Sequence, residues 1–355
     1  MVEQGLIETD DNRAPRGART ATVRTPDGVM LRAAYWPAQA EPCVGTVAVL
    51  QGRAECLEKY FETIAALLAR GFAVATFDWR GQGGSDRLLP DSRKGHIDDM
   101  ALYQIDLDAF VAQTLAPHCP KPWFGLAHSM GASVLIAAAR SGAPFARLVL
   151  SAPMIDIVEA RPARLVRIVI ETLDFLGFGA WYAPGRGPQS RMCAPLADNP
   201  LTADPIRYAR NRRLAETAPH LILGEPTIGW LDAAFRQIAA FADPDYPRGV
   251  RAPALGFGAG DDRIVSTPAA ARFMARMKAG RLIVLPGARH EILQERDEIR
   301  ALFWEAFDAF VPGTTPQDDV RAPTGPTTAA PAGRRAMRDR WRERRRPRAS
   351  TEGGR

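Results

Sequence analysis

The chain has 355 residues, 46% hydrophobic and 24% charged, with a formal net charge of +6, the composition of an ordinary soluble globular protein able to bury a large core in one or two domains. Eleven arginines against five acids after residue 312 account for the whole excess charge, so the body is neutral and a basic nucleic-acid groove in the folded part is excluded. Met1 to Asp11 is acidic and has no apolar core of a signal peptide, no apolar run could span a bilayer, and the four scattered cysteines form no C-x-x-C pair; the expectation is a cytoplasmic protein with reduced thiols and neither a disulfide frame nor a metal site.

Residues 1–19 read as a flexible N-terminus. Thr20 to Trp36 alternates around TPDG as an opening hairpin does. Val44 to Leu50 then predicts a strand, Cys56 to Arg70 a helix, Phe72 to Phe77 a strand and Asp98 to Thr114 a helix. Lys121 to Leu126 is strand-like, Met130 to Arg140 helical and Phe145 to Leu150 strand-like. This alternation predicts an α/β fold, a mostly parallel central sheet with helices on both faces. Between about 155 and 251 no strand pattern is visible, and that stretch reads as an inserted helical cap. Within it Arg161, Arg164 and Arg167 recur among apolar residues, the pattern of an amphipathic helix that packs its stripe on the core or offers it to an acyl chain or lipid surface. The rhythm resumes with a strand at Ala254 to Phe257, a helix at Ser266 to Ala279, a strand at Arg281 to Leu285 and a helix at Glu295 to Val311. Residues 20–312 thus form one domain built around a single sheet. Residues 313–355, rich in Pro, Ala and Arg, read as a disordered tail whose charge could hold an anionic membrane surface.

The stretch LAHSMGAS, residues 126–133, has the form of a strand-to-helix turn presenting a nucleophilic serine, with Ala127 where G-x-S-x-G has its first glycine. Ser129 would need a base, and the base an acid partner. Among the five histidines, His290 in PGARHEIL follows a strand and falls on the same sheet edge as the serine. GAGDDRIV, just past another strand, offers Asp261 and Asp262, and Asp156 after an earlier strand is a third candidate acid. With an acid from GAGDDRIV the chain order is serine, acid, histidine, the order of α/β-hydrolases. The N–H of Met130, at the positive end of its helix, is one expected oxyanion donor. DWRGQGGS lacks the P-loop Lys-Ser/Thr pair and the dinucleotide-binding spacing, so Asp78 and Arg80 read as turn-stabilising residues. His128 reads as orienting the serine turn, His96 and His118 as loop residues and His220 as structural.

QGRAECLEKY, FDWRGQGGS, AHSMG, GDDRIV and GARHEI, spread over about residues 20–311, together resemble the α/β-hydrolases of the bacterial lysophospholipase and monoacylglycerol-lipase group. The resemblance implies Asp262 as the acid, because it precedes a basic residue and an apolar pair, and the N–H of Arg53 as second oxyanion donor. Gln51 stands where this group commonly carries His. LGEPTIGWLDAA resembles a stretch of the same group, which places Trp230 near the substrate pocket. The implied function is a serine hydrolase, without metal or organic cofactor, cleaving the acyl ester of a lysophospholipid or monoacylglycerol through an acyl-enzyme. A proline-iminopeptidase-like serine peptidase, or a non-catalytic binding protein on a hydrolase scaffold, are the alternatives.

Overall fold

The computed structural model describes residues 5–158 and 163–312. Eight strands form one sheet: β1 (Arg19–Arg24), β2 (Met30–Trp36), β3 (Thr46–Leu50), β4 (Ala73–Phe77), β5 (Trp123–His128), β6 (Arg147–Ser151), β7 (Ala254–Ala259) and β8 (Gly280–Leu285). Their spatial order is β1-β2-β4-β3-β5-β6-β7-β8. The β1–β2 hairpin and the β2–β4 pair are antiparallel, and every pair from β4 onward is parallel. Every residue of β3, β4, β5 and β7 is buried. Since successive side chains point to opposite faces, burial of all of them requires cover on both faces. Of the helices α1 (Phe61–Leu68), α2 (Ala101–Phe110), α3 (Ala116–His118), α4 (Ser129–Arg140), α5 (Ala163–Leu173), α6 (Pro205–Thr217), α7 (Ile228–Phe241), α8 (Thr267–Met274) and α9 (Asp297–Phe310), α1, α2, α4, α8 and α9 pack on the strands and supply it. Phe72, for example, meets Phe124 of β5 and Phe307 of α9 edge-on.

The alternation read from the sequence is the α/β architecture observed, with differences at the element ends. The 56–70 helix divides into a 3-10 turn, Leu57–Tyr60, and α1, because the Leu57 N–H is drawn to the Asp78 carboxylate at 2.9 Å. β5 runs on to His128, since Ala127 and His128 pair with Leu150 and Ser151 of β6. α2 continues through a wider turn into α3. His118, expected on a loop, therefore ends a helix and stacks on Tyr35 with ring centroids 4.9 Å apart. The N-terminal segment, expected to be flexible over 1–19, is tied down from Gly5 onward. Ile7 N–H donates to Glu58, Asn12 Nδ2 to the Glu58 carbonyl and Trp36 Nε1 to the Pro15 carbonyl. Between β6 and β7 the described residues add α5, α6 and α7 but no sheet strand. α6 starts where Asp204 accepts the N–H groups of Ile206 and Arg207 with Pro205 at its first position. On α5, Ile170, Val166 and Leu173 pack with Ile228 and Phe235, while Leu165 and Ile168 face outward. Arg161 and the arginine-rich stretch after 312 lie outside the described residues. No helix among the described residues is long and apolar enough to cross a membrane.

The glycine-rich stretch after β4 is a packing device. Asp78 accepts from Arg32 Nε at 2.8 Å, from Gly84 N–H at 2.7 Å and from Leu57 N–H at 2.9 Å. Gly83 has φ +54°, and a Cβ there would lie 2.1 Å from the Asp78 carboxyl carbon, so only glycine fits. Arg32 also grips Glu58 with two bonds of 2.8 Å, and all three side chains are sealed from water. Arg80 similarly joins Asp27 and Asp106. Replacing Arg32 by Met strands two buried carboxylates, which should cost about 3–5 kcal/mol of stability. Urea unfolding of Arg32→Met checks this, and a loss below about 1 kcal/mol would show that the pair is not held as ions.

Candidate active site

Ser129 sits at the junction of β5 and α4 with φ 49°, a left-handed conformation that a non-glycine residue adopts only where its surroundings impose it. The constraint is the end of β3. A Cβ on Gly131 would lie 2.4 Å from the Gln51 carbonyl oxygen and 2.6 Å from that of Leu50, so α4 runs directly against backbone and needs glycine there. Ala127, the departure from the usual glycine, is in register between Leu50 of β3 and Leu150 of β6 and is fully enclosed; the ladder accommodates its methyl group.

Two loops from the same sheet edge complete the constellation. His290, just past β8, places Nε2 2.9 Å from Ser129 Oγ and Nδ1 2.9 Å from Asp262 Oδ2. The other Asp262 oxygen accepts the N–H groups of Ile264 at 2.8 Å and Val265 at 2.9 Å. Burial alone would raise the Asp262 pKa, but the facing His290 and these backbone donors bring it below the ordinary carboxylate value. Burial alone would lower that of His290, and the Asp262 charge and hydrogen bond reverse this, so its pKa lies above the ordinary 6.5. Of the other candidate acids, Asp261 is exposed and Asp156 accepts from the Ile157 N–H beside it. Through Asp262, His290 and Ser129, a single hydrogen-bonded line joins residues separated by 28 and 161 positions in the chain.

The loop after β3 stands over this line. The Cβ position of Gly52 is 3.3 Å from Ser129 Cβ, and Arg53, Met130 and Trp230 border the same pocket as Ser129 and His290. Gln51, which stands where the resembled group commonly carries His, turns inward to donate to Thr76, and the loop is held by two residues that sequence reading missed. Glu55 accepts the Gly52 N–H at 2.5 Å. Gln82, from the glycine-rich stretch, donates to the Gly52 carbonyl at 3.1 Å and accepts the Ala54 N–H at 3.1 Å. Only the first E in QGRAECLEKY and the Q in RGQGGS could have signalled them, and nothing local distinguishes either from a surface residue.

Glu55 belongs to a buried charge cluster. Lys59 Nζ lies 2.7 Å from Glu55 and 2.5 Å from Glu291, and Tyr60 donates its hydroxyl proton to Glu55 at 2.7 Å. Burial raises the Glu55 pKa, yet the Lys59 ammonium and its hydrogen bonds hold it at about 2. His128 sits between the Glu55 carboxylate, 4.0 Å away, and the His290 ring, 4.8 Å away. Burial depresses its pKa to about 4, so it is neutral and donates Nδ1–H to the Ser151 carbonyl at 3.2 Å. His96 lies in a loop, 3.1 Å from Thr227 Oγ1, and His220 lies in a short turn of the insertion. The pocket, with a cavity of about 130 Å³, includes the apolar side chains of Met154, Ile157, Leu223, Leu231, Ile264 and Val265 in its lining.

A family model described as serine aminopeptidase, S33, matches residues 41–297, well over half of the chain. The chain belongs to this family. Lysophospholipase L2 of Escherichia coli K12 is 33% identical to this family member over 276 residues, spanning 74% of this chain and 79% of its own. The probable lysophospholipase L2 of Haemophilus influenzae is 31% identical over 266 residues, 74% of this chain and 82% of its own. Among solved structures, a soluble variant of monoglyceride lipase from Saccharomyces cerevisiae superposes with a TM-score of 0.65 at 20% identity, covering 82% of this chain and 94% of its own. A carboxyl esterase from Bacillus coagulans superposes with 0.66 at 20% identity, covering 84% and 99%. The fold is that of the α/β-hydrolases, and this S33 family member is a serine hydrolase. Because Gly131 abuts backbone, Gly131→Ala should push α4 and Ser129 off β3 and slow fluorophosphonate labelling of Ser129 by about 100-fold or more. Labelling rate and Tm measured together check this; unchanged labelling would mean that the turn tolerates the shift.

Proposed function

We propose that this chain hydrolyses a carboxylic ester, the single acyl ester of a lysophospholipid or monoacylglycerol, with Ser129 as nucleophile, His290 as base and Asp262 as the acid that orients it. The observation carrying this reading is the Asp262–His290–Ser129 line of 2.9 Å contacts at a pocket whose lining includes Met154, Ile157, Leu231, Ile264 and Val265. Ser129 Oγ attacks the acyl carbonyl carbon while His290 Nε2 takes its proton, and the carbonyl π electrons move onto oxygen. The N–H groups of Met130 and Arg53 receive that oxyanion, Met130 from the first turn of α4, where helix N–H groups have no partner within the helix. Collapse of the intermediate breaks the ester C–O bond, and the leaving alcohol takes the proton from His290. Water, deprotonated by the same histidine, then attacks the acyl-enzyme and releases the fatty acid. The helical insertion acts as a cap over the pocket, with Trp230 against the substrate. The four thiols, none in a disulfide, fit a cytoplasmic enzyme.

An aminopeptidase would need a carboxylate to take the substrate's free amine. Each carboxylate bordering the pocket is already matched, Glu55 and Glu291 with Lys59 and Glu225 with Arg191, which favours the ester. The deciding experiment is fatty-acid release from a lysophospholipid and a monoacylglycerol side by side, with Ser129→Ala as control. Release that disappears in the variant is expected; absence of release from both in the native protein would end the lipid reading. His290 acts as a base only when neutral, and its pKa is raised. The kcat/KM should therefore fall with decreasing pH through a midpoint above 6.5. A midpoint below 6.5 would contradict the Asp262–His290 pairing.

A further inference from the structure

One buried ion group stands at the pocket itself. Glu55, Lys59 and Glu291 border it together with Ser129 and His290, whereas the Arg32 and Arg80 groups have no member in that lining. Lys59 lies in the 3-10 turn after β3. Its ammonium reaches Glu55 at 2.7 Å and, 232 positions along the chain, Glu291 at 2.5 Å. Glu55 accepts the Gly52 N–H on its other oxygen, and Glu291 follows His290 directly. Gln294 Nε2 also donates to the Lys59 carbonyl at 3.0 Å. β3 and β8, which carry the two loops, are separated in the sheet by β5, β6 and β7. Each intervening pair adds its own twist, so the ladder alone does not set the loop at Gly52 against the loop of His290. The lysine spans that interval. Burial alone would lower its pKa, but the Glu291 and Glu55 charges raise it, so it stays an ammonium.

We infer that Lys59 is a positioning residue: held by Glu55 and Glu291, its ammonium sets the loop at Gly52 against the loop of His290, so that base and oxyanion donor reach one bound acyl group together. This rests on the reading of Ser129 as nucleophile, His290 as base and the Arg53 N–H as oxyanion donor. Base and donor must meet the same acyl group within a fraction of an ångström, and an ammonium, with three donors, can hold a carboxylate from each loop at once. The arrangement tolerates little drift, because a buried carboxylate that parts from Lys59 is left without its cation. The two acids also bear on the base through charge. Burial lowers the His290 pKa, and Asp262, followed by Glu291 and Glu55, raises it. Glu291 itself lies above the ordinary carboxylate value, raised by burial more than Lys59 lowers it. Of the other nearby groups among the described residues, His128 is neutral and Arg289 donates to the Asn199 and Thr202 carbonyls.

Glu55→Gln and Glu291→Gln test the link, since each removes a charge and keeps an oxygen to accept a hydrogen bond, whereas Lys59→Met would strand two carboxylates and threaten folding. The readout is the rate at which a fluorophosphonate labels Ser129, followed across pH, with Tm measured alongside. Each variant should slow labelling by about ten-fold. The double variant should be no slower than the slower single one, because both acids act through one lysine. In Glu291→Gln the midpoint of the pH profile should fall, because a charge that favours protonated His290 is gone. Losses that multiply in the double variant, or a midpoint that stays in place in Glu291→Gln, overturn the proposal; the midpoint decides alone if the double variant does not fold. The lipid reading fails separately. Label without fatty-acid release removes it and leaves these rates to decide the link, while a native Ser129 that takes no label overturns the nucleophile and the link together.

Discussion

The site depends on the contact between the start of α4 and the end of β3. With no side chain on Gly131, helix backbone rests against the carbonyls of Leu50 and Gln51, and this approach forces Ser129 into its left-handed turn. The same contact brings the loop beginning at Gly52 to within van der Waals distance of Ser129. Ser129 and the loop at Gly52 are therefore placed by one packing constraint, and the strain at Ser129 is sustained by the buried strands β3 and β6 on either side of β5, of which only Arg147 at the start of β6 is part-exposed.

Around that contact, charge does the work that regular structure cannot. The loops after β3 and β8 carry no repeating backbone ladder, yet Lys59 ties Glu55 of the first to Glu291 of the second. Gln82 and Glu55 grip the turn at Gly52 from two sides. The His290 and Glu291 N–H groups donate to the carbonyls of Pro200 and Leu201, so the insertion also helps to hold the histidine loop. Buried ion pairs of this kind contribute little net stability against apolar alternatives, but removing one partner is costly. Their effect here is to fix loop geometry.

Much of this was legible in the sequence for stated reasons. Fully buried parallel strands appear as short apolar runs, so β3, β4 and β5 could be read directly, and the serine turn shows itself through the small residues beside Ser129. Ser129, His290 and an acid from GAGDDRIV could be proposed as partners because each follows a strand, and parallel strands deliver their ends to one edge; the resemblance, not the placement, singled out Asp262. The ordered N-terminal segment was misread because its anchors, Glu58 and Trp36, are distant in the chain and its own composition carries no periodic signal. The helical role of His118 was missed because a proline and a short stretch look like a loop break.

The sequence by itself determined the order of strands and helices, the serine turn and the residue types at positions 129, 262 and 290, since these follow from local periodicity and from residues adjacent in the chain. Only the tertiary structure decided which carboxylate faces His290, which residues grip the loop at Gly52, and that Arg53 lies against Trp230 and Arg191 against Glu225. Those choices depend on distances between loops far apart in sequence. Loop side chains are selected by the charges and unpaired backbone groups they meet after folding, and no local pattern records that meeting.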